Sequence, residues 1–447
     1  MTNTGYLFNR NLSWDYPKIV KGKGIYLYDD NGNEYIDSCS GAAAANIGHG
    51  NEEVAEAMAE QAKKIAFQHM YYMMTQPPID LAQIIKDMMP GDLNYTFFTD
   101  DGSSATDAAI KMARQYFLER DGISNKYKVI ARWRAYHGTT MGALSVTGIP
   151  SLRRKFAPML IDFPHIAQTY CYRCEFGKDC GSCSFECADA LEREIRRQGP
   201  ENVSAFIYEP VTGSSASAAY PEKGYFKRIR EICDKYDILM IADEVMNGFG
   251  RTGRNFAMQH FDVVPDIIAF AKGVTAAYIP LGGITVSEKI MEAFVKDPVS
   301  NFVHGHTYTG LAVACATGCK VQEIIKRDNL VENAHKIGSY IKRRLTEELS
   351  DMPIVGDIRG LGLQIGVEFV KDKKTKEPYE ARKLLTKKLI KIGYKNGISF
   401  YTGNGTADEI NGDTVTLAPP LIINQEGAEE MIRRIKASII MLSEEII

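Results

Sequence analysis

ILMIADEVMNGFGRTG (residues 238–253) opens with five apolar residues, breaks at the carboxylate pair Asp243-Glu244 and runs into a glycine-punctuated turn. A short run rich in branched residues, without polar alternation, predicts a strand buried on both faces. Further runs of this kind occur at 94–99, 128–131, 203–208, 266–271 and 281–286. Between them lie segments with apolar residues three or four apart, such as Ala108, Met112, Ala113, Tyr116 and Phe117, or Phe226, Ile229, Ile232 and Cys233. That spacing predicts amphipathic helices. The alternation predicts an α/β fold with a mostly parallel sheet. Ligands of such sheets sit at the carboxyl ends of the strands, so the polar residue closing each apolar run is a candidate for chemistry.

The flanks read differently. VKGKGIYLYDDNGNEYIDS (20–38) gives two strand-like stretches around Asp29-Asp30-Asn31-Gly32, a hairpin signal. From about Lys320 the chain carries two long amphipathic helices around a strand-like stretch at 363–370. The expected organisation is a large unit over 65–320 and a smaller α+β unit assembled from both chain ends, 1–64 and 321–447. With 53 basic and 56 acidic residues among 447, the net charge of −3 advertises neither a nucleic-acid nor a membrane partner. The opening MTNTGYLFNRNLSWDY lacks secretory-signal features and no apolar run reaches membrane-spanning length, so a cytoplasmic location is expected. Nine cysteines, odd in number and unevenly spread, do not suggest a disulfide framework.

Three features carry chemistry. The run IIAFA ends in Lys272-Gly273, which puts an amine at the carboxyl edge of the sheet, where a lowered pKa would let it form an imine with a carbonyl cofactor. Asp243 closes ILMIA at the same edge, where a fixed carboxylate can hold a pyridinium nitrogen. In DDGSSATDAAIKMAR the strand NYTFFT meets Gly102-Ser103 at a helix start, a seat for phosphate. Tyr136, after another strand, offers a ring to lie on a cofactor. Each alone has an ordinary explanation: a solvated lysine, a capping aspartate or serine, a core tyrosine. Together they describe one site.

Over roughly residues 22–421 the chain resembles the class III aminotransferases, of pyridoxal-phosphate fold type I. The resemblance rests on GIYLYDDNGNEYID, GHG (48–50), GSSATDAAIKMAR, YHGTTMGALSVTG, the EP at Glu209, IADEVMNGFGRTG, AFAKG and APPL. It implies pyridoxal 5′-phosphate as cofactor, Lys272 as Schiff-base lysine and proton shuttle, and Asp243 at the pyridine nitrogen. It further implies that Val245 and Tyr136 sandwich the ring, that Gly102 and Ser103 hold the phosphate, and that Glu209 lies near the cofactor. Thr307 in HGHTYTG would reach the phosphate bound by a neighbouring subunit, making the active unit a homodimer with shared sites. Arg359 in RGLG matches a common arginine of the smaller unit.

The implied reaction is transfer of an amino group from an ω- or β-amino acid or an amine to a 2-oxo acid, pyruvate or 2-oxoglutarate, by a ping-pong route. Related members act instead as aminomutases, racemases or phospho-lyases. Three departures bear on substrate. Met246 stands where many members have Gln, and Thr309-Gly310-Leu311-Ala312 replaces Ser-Gly-Asn-Pro or Ser-Gly-His-Pro. No arginine occurs between Arg382 and Arg433, where pyruvate-using members usually carry a mobile carboxylate clamp, so another basic group, with Arg132 and Arg134 as candidates, would have to bind a carboxylate. Cys171, Cys174, Cys180, Cys183 and Cys187 have zinc-like spacing; the other reading is a reduced, packed loop, with no catalytic metal.

Overall fold

Strand Val203–Tyr208 buries all six of its side chains, which is why its sequence shows no alternation. Ala205 and Ile207 point to one face, where they meet Ala105, Ala109 and Met112 of the helix Gly102–Asp121. Phe206 and Tyr208 point to the other, against Tyr225, Phe226 and Ile229 of the helix Tyr225–Lys235. Leu239–Asp243 repeats the pattern, with Leu239 and Ile241 on the first face and Met240 and Ala242 on the second. A sheet covered on both faces needs apolar residues at every position.

The computed structural model describes residues 5–12, 14–179, 181–296, 299 and 301–446. Its main sheet has seven strands in the order Leu93–Thr99, Gly282–Ser287, Ile267–Phe270, Leu239–Asp243, Val203–Tyr208, Lys128–Arg132, His165–Ile166. Gly282–Ser287 runs antiparallel to both its neighbours, and the others run parallel to one another. Thr99, Arg132, Tyr208, Asp243 and Phe270 therefore end at one edge. The α/β reading holds. His165–Ile166, absent from the expected strands, is two residues long and carries no periodicity to detect.

Two four-stranded sheets lie outside this layer. Ile19–Lys23, Tyr26–Asp29 and Glu34–Asp37 form a meander, to which Ile398–Ser399 adds in parallel, so both chain ends share one sheet. The expected turn at Asp29-Asp30-Asn31-Gly32 joins the second and third of these strands. The other sheet, Val355–Leu361, Gln364–Phe369, Asp413–Leu417, Tyr401–Asn404, is antiparallel. Helices Leu330–Leu349 and Gln425–Ile446 cover them, and Ile25, Ile36 and Val54 join their core. The position 320/321 lies inside the helix Ala312–Arg327, which packs on both Glu52–Lys64 and Gln76–Met88. No helix among the described residues is long and apolar enough to cross a membrane.

Candidate active site

Lys272 follows the strand Ile267–Phe270 and turns the chain with φ 46°, in the left-handed region that a lysine rarely adopts. Such strain persists where the surroundings impose it, and it clusters at functional sites. The side chain is half-buried and lines a cavity of about 390 Å³ at the carboxyl edge of the main sheet. Its amine has no hydrogen bond or ion pair among the described residues. Burial lowers its pKa, opposed by the negative charges of Asp243 and Glu209 and assisted by Arg251.

Asp243 ends the neighbouring strand and lines the same cavity. Its Oδ1 accepts from Val245 N–H at 3.0 Å, and its Oδ2 lies 2.7 Å from His137 Nδ1. Glu244, its partner in the sequence, turns the other way and accepts from the N–H groups of Ala257 and Met258 at 2.6 and 2.8 Å. Of the carboxylate pair, only Asp243 faces the cavity.

At the opposite wall begins the helix Gly102–Asp121. Its cap is Asp101, whose Oδ1 accepts from Ser104 N–H at 2.8 Å, so the Ser103 hydroxyl is not spent on capping. Ser103 Oγ accepts instead from Thr139 N–H at 3.2 Å. Among the described residues the N–H groups of Gly102 and Ser103 have no acceptor, which leaves two donors and a helix N-terminus at the cavity wall. Gly102 is required there: a Cβ would lie 2.8 Å from Val245 Cγ1. Gly138, at φ 127°, is equally constrained, since a Cβ would meet Ser103 Oγ at 2.5 Å.

Tyr136 and Val245 both line the cavity, from different strand ends. Glu209 is buried beside them, accepting from Tyr136 N–H at 3.0 Å and Gly213 N–H at 2.8 Å. Burial raises its carboxyl pKa, with His137 opposing and Asp243 adding. Seven of the eight residues expected at the site thus border one cavity. Thr307 does not: it is exposed on a separate cleft of about 1100 Å³ that contains no Lys272 contact.

The arginines expected to bind a carboxylate are otherwise engaged. Arg132 is fully buried, donating to Thr169 Oγ1 at 2.7 Å and to the Glu209 carbonyl. Arg134 holds the Thr406 and Ala407 carbonyls and pairs with Glu409. Neither lines the cavity, which corrects that expectation. Arg359 is a clasp, donating to the Ser217 and Ala216 carbonyls and pairing with Asp357 and Glu368. Cys174, Cys183 and Cys187 border a separate small cavity, and burial, with Cys183 and Cys174 adding, pushes the Cys187 thiol up to about 11. No group of three or more His, Cys, Asp or Glu side chains among the described residues is arranged to hold a metal ion, and Cys180 lies outside the described residues.

Residues 11–439 match the family described as aminotransferase class-III. The chain belongs to the class III aminotransferases. A putrescine–pyruvate aminotransferase of Pseudomonas aeruginosa is 36% identical over 418 residues, covering 93% of this chain and 88% of that one. A transaminase from the marine bacterium Virgibacillus matches with TM-score 0.91 at 36% identity, covering 98% of each chain. The omega transaminase from Pseudomonas jessenii, in complex with PMP, matches with TM-score 0.89 at 33% identity, over 96% of this chain and 94% of that one. Class III aminotransferases use pyridoxal phosphate, and this cavity fits it. An unpartnered lysine amine, a fixed carboxylate and two unpaired helix-start N–H groups match a carbonyl, a pyridine nitrogen and a phosphate.

His137 was not among the residues expected to function. The sequence shows it only as the neighbour of Tyr136; its partner Asp243 is 106 positions away, and no periodicity links the two. Tyr401, which lines the cavity from the late segment, was equally hidden among small and polar residues.

Proposed function

We propose that this class III aminotransferase moves the amino group of an ω- or β-amino acid or an amine to a 2-oxo acid, pyruvate or 2-oxoglutarate, in a ping-pong cycle. The observation that carries the reading is the unpartnered Lys272 amine facing the same cavity as the doubly held carboxylate of Asp243. In this reading pyridoxal phosphate supplies the electron sink that makes a substrate C–H acidic. Lys272 would hold the cofactor at its carbonyl carbon and, once its amine is free, would carry a proton from the substrate carbon on its Nζ; burial, which lowers its pKa, favours the neutral amine this requires. Asp243 holds the pyridine nitrogen, kept in orientation by His137 and Val245 N–H. Gly102 and Ser103 bind the phosphate, Tyr136 and Val245 flank the ring, and Glu209 fixes the Tyr136 backbone.

The substrate side of the cavity is walled by Ala44, Met246 and Tyr401, without a charged group. That lining supports amine donors, and the name of the putrescine–pyruvate relative supports pyruvate as acceptor. We assign a homodimer as the active unit, with Thr307 serving the neighbouring site. Support comes from its exposed cleft, which His69, Met70 and Tyr71 line beside it, and from the exposed apolar side chains of Tyr71, Tyr72, Met73 and Met74.

Incubation of the cofactor-loaded enzyme with donor alone tests the reaction. A transaminase converts its cofactor to the amino form and stops until a 2-oxo acid is added. Retention of the original cofactor form while the donor is isomerised or eliminated would replace transamination by the mutase, racemase or lyase reading. Lys272→Ala is expected to abolish turnover and the visible absorbance of the lysine-bound cofactor.

A further inference from the structure

The reaction proposed above leaves a charge unanswered. A 2-oxo acid brings a carboxylate into a cavity whose lining contains no cation other than Lys272, which that reading commits to the cofactor. Arg132, Arg134 and Arg359 are held by protein carbonyls, and releasing any of them would strand buried acceptors. Uncharged donors remain. Of the hydroxyls lining the cavity, Ser103 belongs to the phosphate seat, Tyr136 flanks the ring, and Thr275 Oγ1 donates to the Ile279 carbonyl at 2.7 Å. That leaves Ser214 and Tyr401, whose hydroxyls have no hydrogen bond among the described residues.

These two residues share one stretch of wall. Successive side chains of a strand point to opposite faces. In the strand Tyr401–Asn404, Thr402 faces a groove that it lines with Trp14 and Phe400, so Tyr401 and Gly403 share the other face. Ser214 lies directly against that face: a Cβ on Gly403 would stand 2.0 Å from its carbonyl oxygen. Tyr401 packs on Ala43, Met246 and Ala418, and a Cβ on Gly213 would lie 2.9 Å from Met246 Sδ. The turn that carries Ser214 is pinned from several sides. Ser217 and Ala218 sit in the left-handed region, at φ 36° and 58°. Ser217 Oγ donates to Thr414 Oγ1 at 2.5 Å and accepts from Thr416 Oγ1 at 3.0 Å, and Arg359 holds the Ala216 and Ser217 carbonyls. Backbone strain that the surroundings impose in this way clusters at functional sites.

We infer that Tyr401, with Ser214 beside it, binds the carboxylate of the 2-oxo acid acceptor through uncharged O–H donors. The assignment rests on the transaminase reading. A hydroxyl that donates to a carboxylate makes a short, charge-assisted hydrogen bond. Hydroxyls also suit a site that alternates between an amine without a carboxylate and an oxo acid with one. A buried arginine would be left desolvated and unpaired whenever the amine is bound. A hydroxyl has no net charge to strand, and it accepts as well as donates.

The test uses full-length holoenzyme, converted to its amino form by a donor amine and then titrated with pyruvate or with propanal, which offers a carbonyl but no carboxylate. Tyr401→Phe keeps the ring that packs on Met246 and removes only the donor. It is expected to lower the ratio of the pyruvate response to the propanal response at least ~10-fold, as loss of a charge-assisted hydrogen bond implies. Ser214→Ala is expected to lower the same ratio by a smaller factor. A Tyr401→Phe ratio equal to that of the wild type, whether both responses persist or both fall together, overturns the role of Tyr401, and an unchanged Ser214→Ala ratio removes Ser214 from it. A wild-type amino form that no 2-oxo acid reconverts overturns the transaminase reading itself, so the two failures are distinguishable.

Discussion

His137 Nδ1 lies 2.7 Å from Asp243 Oδ2, with both side chains withdrawn from solvent at the cavity floor. His137 is itself held by Thr147 Oγ1, which accepts from its N–H at 2.9 Å, and its carbonyl accepts from Thr106 Oγ1 at 2.8 Å. The imidazole therefore fixes which oxygen of Asp243 is left for a ligand. Removal of such a supporting partner costs roughly 10–100-fold in activity. His137→Ala is expected to lower kcat by that factor while the enzyme still takes up its cofactor. Steady-state kinetics and the absorption spectrum of the loaded variant check this, and an unchanged kcat would remove the positioning role.

Gly102→Ala places a methyl group 2.8 Å from Val245 Cγ1 and 3.2 Å from Cγ2. Val245 must then shift into the cavity it lines. Overpacking of this kind costs about 1–3 kcal/mol. Because the displaced side chain borders the cofactor seat, the expected effect is a Kd for pyridoxal phosphate raised by ~10-fold, together with a lowered melting temperature of the cofactor-free protein. Equilibrium titration of the stripped variant measures it.

Glu244 is buried, and its carboxyl pKa is pushed up to about 8, chiefly by burial, against the lowering effect of the Met258 and Ala257 N–H groups. The folded state then binds a proton that the unfolded state has released. This contribution to stability is full below the ordinary glutamate pKa and is lost as pH rises through about 8. Glu244→Gln keeps the hydrogen-bond shape but cannot ionise. Its unfolding temperature should fall less than that of the wild type between pH ~5 and ~8. Thermal unfolding of both proteins across that range decides it, and parallel curves would show that Glu244 is already ionised in the fold.

Arg251 is completely buried and bridges segments distant in the chain. It donates to the Leu363 carbonyl at 3.1 Å, the Pro419 carbonyl at 2.5 Å and Asn46 Oδ1 at 2.8 Å. Arg251→Met strands several acceptors without water. The expected loss is at least ~3 kcal/mol, at about one kcal/mol or more for each of the three acceptors left unsatisfied. Denaturant unfolding of the variant measures this directly.

Much of the main sheet was legible because its physics is local. Runs such as 203–208 and 238–242 must be apolar at every position when helices cover both faces, and that leaves a mark in the sequence. The polar residue ending each run was legible for the same reason, and Lys272, Asp243, Glu209, Gly102 and Ser103 do meet at one edge. The late segment was less readable. Tyr401–Asn404 and Asp413–Leu417 are strands built partly of glycine, asparagine and threonine, and they are held as strands by pairing with each other and with Gln364–Phe369. The expectation about Arg132 and Arg134 failed because a sequence shows a charge but not whether neighbouring carbonyls have already taken it.

By itself the sequence determined the α/β layering, the family and the residue types that end the central strands, since each depends on short-range pattern and on motifs contiguous in the chain. Only the tertiary structure decided that Asp243 and not Glu244 faces the cavity, that Asp101 and not Ser103 caps the helix, and that His137 supports Asp243. It also decided that Arg132 and Arg134 are taken by backbone carbonyls and do not line the cavity. Those outcomes depend on which groups meet across a hundred or more residues, and burial and hydrogen-bond competition are settled only when the chain has closed on itself.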